Sequence, residues 1–110
     1  MTALYDDDVP SGRILPDAVG HDLRPDPMTA TTPAEFMELL RRYRIWSGQM
    51  SYREMALRSG RTVAASTFCT ALRRDQLPKQ SLLRTIIEVC GGTLAEQQTW
   101  VTAWRRLALQ

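Results

Sequence analysis

The stretch from Ser51 to Arg74, SYREMALRSGRTVAASTFCTALRR, restricts the fold more than any other part of the chain. It holds two patterns of helical period on either side of Gly60. Ser51-Tyr52-Arg53-Glu54 predicts a capping box, in which the serine hydroxyl and the glutamate carboxylate each satisfy an orphan backbone N–H. Met55, Ala56 and the stem of Arg58 continue that helix to Gly60, the residue type best able to take a positive φ past a helix end. Arg61, Thr62 and Val63 then turn a corner, and Phe68, Ala71 and Leu72 form the inward stripe of a second helix over about residues 64–74. Its outer face carries Ser66, Thr67, Thr70, Arg73 and Arg74, short hydroxyls followed by two cations. A helix with an apolar back and a polar, basic front, set after a tight turn, suits a DNA major groove. It equally describes an ordinary corner between two helices, so the flanking segments must decide.

Those segments are helical too. Thr32-Pro33-Ala34-Glu35 combines an N-cap threonine, proline at the first helical position and glutamate three residues after the cap. Phe36, Leu39, Leu40, Tyr43 and Trp46 follow as one inward face, with Arg41, Arg42 and Arg44 on the others and an end near Ser47-Gly48. Beyond the central motif, Pro78 forces a break. Leu82, Leu83, Ile86, Ile87 and Cys90 then stripe a fourth helix, which closes at Gly91-Gly92; its N-cap falls somewhere between Leu77 and Lys79. Thr93-Leu94-Ala95-Glu96 is a third capping box, opening a helix with Trp100, Val101, Trp104 and Leu107 or Ala108 inward and Arg105-Arg106 outward. Trp100 and Trp104, four residues apart, are read as closing a small core rather than as a ligand platform. No segment has strand period. The expectation is an all-α domain of five helices over residues 31–110.

Residues 1–30 differ in kind. They carry six aspartates against two arginines, a net charge of −4, whereas residues 31–110 carry a net +6 within a chain of +2 overall. Four prolines, two glycines and no helical or strand period predict a disordered acidic tail that buries too little apolar surface to order itself. Such a tail is expected to compete with phosphates for the basic body. A basic body suits a phosphate backbone, though charge alone is a weak indicator.

No run approaches the roughly 18 apolar residues of a transmembrane helix, and MTALYDDDVP has no secretory pattern, so a cytoplasmic protein is expected. Cys69, Cys90 and the lone His21 do not make a metal site, and both thiols are read as reduced, with Cys90 in the core. With no phosphate-binding glycine loop, carboxylate pair or nucleophile–base arrangement, neither an enzyme nor a cofactor is expected.

The ordered body resembles the lambda-repressor-like (Cro/C1, or XRE) helix-turn-helix domains. The resemblance is carried by Ser51-Tyr52-Arg53-Glu54-Met55-Ala56, by Val63-Ala64-Ala65-Ser66-Thr67-Phe68 and by Leu77-Pro78. It is closer to the helix-turn-helix domain proteins common in actinobacteria, through Pro33 to Leu40 with the arginines after it, Trp46-Ser47-Gly48, Leu72-Arg73-Arg74-Asp75 and Cys90-Gly91. It covers about residues 31–108 and leaves out the tail. Ala64 and Ala65 depart from it, standing where the family usually carries polar residues, and Arg73-Arg74-Asp75 replaces the more usual exit.

What the resemblance implies is a transcriptional regulator that inserts its third helix into the major groove of double-stranded DNA. Ser66, Thr67 and Thr70 would lie near base edges, with Ala65 beside them. Arg61, Arg74 and Lys79 would hold phosphates, and Arg73, on the face of Ser66 and Thr70, a guanine. One such domain reads few base pairs, so a homodimer is implied. The alternative is a module of the same fold whose body or acidic tail binds a partner protein. Neither a membrane nor a small-molecule ligand is expected.

Overall fold

The computed structural model describes residues 14–110. They form five α-helices and no strand: α1 Pro33–Trp46, α2 Tyr52–Arg58, α3 Ala65–Leu72, α4 Gln80–Val89 and α5 Leu94–Ala108. A single 3-10 turn, Pro27–Thr29, precedes them.

The capping pattern starts three of these helices, but the box closes in only one. Thr93 Oγ1 accepts from Glu96 N at 3.1 Å while the Glu96 carboxylate accepts from Thr93 N at 3.3 Å. At α1 the Thr32 hydroxyl accepts from Glu35 N, but the Glu35 carboxylate reaches one residue further back, to Thr31 N and Oγ1, both at 2.7 Å. Those bonds hold the Glu35 carboxyl below its ordinary pKa. At α2 the Ser51 hydroxyl caps Glu54 N, and Glu54 turns its carboxylate to Arg58. Helices α1, α2 and α4 all stop in the same way. A glycine with positive φ (Gly48, Gly60, Gly91) follows the last turn, and the next N–H reaches back to the carbonyl of Arg44, Ala56 or Ile87.

The core lies where α1, α4 and α5 meet under the central pair. Phe36, Met37, Leu40, Tyr43, Met55, Phe68, Leu83, Ile86, Ile87 and Ala103 are wholly buried. Trp100 is the centrepiece, edge-on to both Phe36 and Tyr43 with ring centroids 5.4 Å apart in each pair. The expected stripe of α1 shifts in part, with Met37 buried and Leu39 half-buried, while in α5 it is Leu107 of the two residues left open that faces in, Ala108 being exposed. Trp46 and Trp104 are also half-buried, each with its indole N–H occupied, by the Asp17 carboxylate and by Pro78 O respectively. A tryptophan at the rim of a small core can bury its ring and still direct its one donor to a polar partner.

The expected tail divides. Its first part, residues 1–13, lies outside the described residues. From Ile14 onward the chain is laid against the helices rather than free of them. Ile14 packs on the core, and Pro27 and Ala30 are buried. Arg106 Nη2 donates to Met28 O and Ala30 O, both at 2.7 Å. The boundary expected at residue 30 therefore moves towards the N-terminus. This segment has no period of its own, and its order comes from partners such as Arg106, far away in the chain. The aspartates described here are also engaged. Asp17 accepts from Trp46 and from Leu23 N, Asp22 from Arg24 N, and Asp26 from Met28 N.

Candidate nucleic-acid interface

The turn between α2 and α3 is rigidly specified. Gly60 N donates to Leu57 O and Arg61 N to Ala56 O, each at 3.0 Å, the paired bonds of a glycine-terminated helix. Arg61 itself has φ +63°, so a second residue in the left-handed region sharpens the corner. The Ser59 hydroxyl then ties both sides together, donating to Ala56 O at 2.7 Å and accepting from Val63 N at 3.3 Å.

Helix α3 starts at Ala65 and stops at Leu72, shorter at both ends than the 64–74 expected. Neither end has the local signals found elsewhere. Ala64 at the N-cap offers no side-chain acceptor, and no glycine follows Leu72. Its C-terminus is capped from outside by Arg41 of α1. The Arg41 guanidinium donates to Leu72 O at 3.1 Å, Arg74 O at 3.2 Å and the Asp75 carboxylate at 3.1 Å. Arg73 and Arg74 thus sit on a short exit strap fastened to α1, and the strap leads to Pro78 and the start of α4.

Between α3, this strap and α4 runs an open groove of about 690 Å³. Its wall carries the hydroxyls of Thr62, Ser66, Thr67, Thr70, Ser81 and Thr85, the cations Arg74 and Lys79, and no carboxylate. Both helix N-termini on the groove, at Ala64 and Lys79, lack a side-chain cap, so their first N–H groups are not taken up by a capping side chain. Among the described residues Arg61, Arg74, Lys79 and Arg84 form no ion pair, whereas Arg41, Arg42 and Arg58 do.

Five of the eight residues singled out from the sequence line this groove: Ser66, Thr67, Thr70, Arg74 and Lys79. Arg61 is exposed on the turn beside it, and Ala65 is half-buried in the first turn of α3. Arg73 is exposed but does not line the groove; its Nη1 lies 4.0 Å from Cys69 Sγ. Because the helix has ended at Leu72, a helical projection no longer describes where these two arginines point, and Arg74 takes the groove side. Thr62, Gln76, Ser81 and Thr85 were not singled out from sequence. Ser81 and Thr85 had a signal, since they lie four apart on α4 opposite its Leu83–Ile86–Ile87 face.

The strongly perturbed groups lie elsewhere, in the core. Burial, and then the Glu96 carboxylate 3.5 Å away, push the Tyr43 phenol far above its ordinary pKa. Burial also raises the Cys90 thiol. Both cysteines are free thiols. Among the described residues no cluster of three or more His, Cys, Asp or Glu could hold a metal ion, and no helix is long and apolar enough to cross a membrane. Compared with known proteins, the chain matches no family model, no curated protein and no solved structure.

Proposed function

We propose that the protein binds double-stranded DNA as a transcriptional regulator of the lambda-repressor-like helix-turn-helix type, with α3 in the major groove. The observation that carries this reading is the polar lining of the groove beside α3, which consists of hydroxyls, Gln76 and cations without ion-pair partners, with no carboxylate. Phosphate oxygens accept from hydroxyls, cations and free helix-terminal N–H groups, and a carboxylate there would repel them. The size also fits, since a helix with its side chains is about 10–12 Å across and the major groove about 12 Å wide. Arg74 and Lys79 line the groove, with Arg61 and Arg84 as outlying backbone contacts. Two copies on a two-fold site would be needed for useful affinity.

The test is binding to a generic duplex as a function of salt. Four phosphate contacts per copy predict a slope of log K against log[salt] of about −3.6. Retained fold with no salt-dependent binding would refute the reading.

The alternative, a protein-interaction module, is favoured by one feature. Asp17 closes a loop by accepting from Trp46 Nε1 and from Leu23 N. At its tip a turn closed by His21 N and Ala18 O presents Val19 fully to solvent, between the exposed Leu15 and Leu23. If this surface, rather than the groove, is the working one, Val19→Asp should abolish partner capture while charge reversal at Arg74 leaves it intact.

A further inference from the structure

We infer that the α3 surface reads the C5-methyl groups of pyrimidines in the major groove, which makes thymine or 5-methylcytosine the base it selects. This rests on the duplex-binding reading above and narrows it to a substrate class. From Thr62 to Thr70 the exposed side chains are Thr62, Ala64, Ser66, Thr67 and Thr70, and none is longer than threonine. Bidentate recognition of guanine requires arginine or lysine, and that of adenine requires asparagine or glutamine. None of these four types occurs between Thr62 and Leu72, and Gln76, which also lines the groove, stands beyond α3 on the exit strap. What the surface offers base edges is methyl groups, from Ala64, Thr67 and Thr70, with hydroxyls that accept or donate to any base. A methyl protruding from a pyrimidine ring is the major-groove feature that such a surface can discriminate, because apolar contact with Ala or Thr rewards its presence. Short side chains also let the helix backbone come close to the groove floor, where the C5-methyl stands. Arg74 and Lys79, which line the protein's groove beside α3, would hold the flanking phosphates.

The test uses the full chain and four duplexes of equal length, titrated at low salt. One pair is alternating dA-dT against the same duplex with dU for dT; the other is alternating dG-dC against the same duplex with 5-methyl-dC. Uracil differs from thymine only by the missing methyl. Each methyl contacted is expected to contribute about fourfold in affinity, the ratio that corresponds to about 0.8 kcal/mol per buried carbon. A preference for the methylated member of either pair supports the inference, and the pair that shows it names the source. Equal affinity within both pairs overturns the inference and leaves DNA binding standing, whereas absence of binding to all four overturns both. As a second readout, Thr67→Ser with Thr70→Ser removes two methyls and keeps both hydroxyls. The methyl preference should fall toward unity, and an unchanged preference would overturn the assignment to α3. The comparison in the unaltered chain decides the matter even if the double variant fails to fold.

Discussion

Arg41→Ala should be far more damaging than a half-exposed arginine on α1 suggests. The side chain is 31% exposed, and its ion pairs with Glu38 and with the 68% exposed Asp75 are screened. Together those pairs are worth less than about 1 kcal/mol. Its bonds to Leu72 O and Arg74 O are different, because they cap the end of α3, which has no glycine exit. Each is a charge-assisted bond to a carbonyl, and Leu72 O is partly buried; at about 1 kcal/mol each, the total reaches about 2–3 kcal/mol. For a domain of this size, 1 kcal/mol shifts Tm by about 4–8 °C. Thermal unfolding followed by far-UV circular dichroism should therefore show Tm lowered by about 10–20 °C. Asp75→Ala separates the contributions, since it removes an ion pair and leaves the carbonyls capped, so its Tm should fall by only a few degrees. Arg41→Lys should recover only part of the loss, because one ammonium cannot span two carbonyls and a carboxylate in the same fork. If Arg41→Ala and Asp75→Ala lower Tm equally, the capping argument fails and the guanidinium is an ordinary surface charge.

Three further outcomes follow from the packing. Gly92→Ala places a Cβ against the Ile87 side chain and 2.6 Å from the Tyr43 hydroxyl, with Ile87 O at 2.9 Å; it should cost about 1–3 kcal/mol in denaturant unfolding, and a neutral result would mean that the α4–α5 corner is looser than described. Asp17→Ala frees the Trp46 indole and Leu23 N, so the Trp46 N–H resonance should move and exchange faster, at a cost of about 1–2 kcal/mol; an unaltered indole signal would contradict the anchoring of residues 14–24. Because the folded pKa of Tyr43 lies above its unfolded value near 10, the neutral phenol's contribution is fully present below pH 10 and is lost as pH rises beyond it. The loss should approach about 1.4 kcal/mol per pH unit above pH 10, and a Tyr43→Phe variant with the same alkaline slope would show that the loss comes from other groups.

Local chemistry made much of this protein legible in its sequence. Thr32, Ser51 and Thr93 mark helix starts because a hydroxyl can reach an N–H two or three residues on wherever the helix sits, and Gly48, Gly60 and Gly91 mark helix ends because only the local φ matters. The apolar stripes of α1, α4 and α5 were readable for the same reason, as was the placement of Ser66, Thr67 and Thr70 on one exposed face. The tertiary structure decided what depends on residues distant in the chain. Helix α3 has neither a capping side chain nor a glycine exit, so its length, and with it the exchange of positions between Arg73 and Arg74, is set by Arg41 reaching across from α1. Likewise the order of residues 14–30 comes from Trp46 and Arg106, and no period within that segment could announce it. The groove beside α3 needs Ser81 and Thr85 of α4 as its second wall. A hydrogen bond between neighbours in sequence is encoded by spacing; one between residues 30 to 80 positions apart exists only once the core has brought its two ends together.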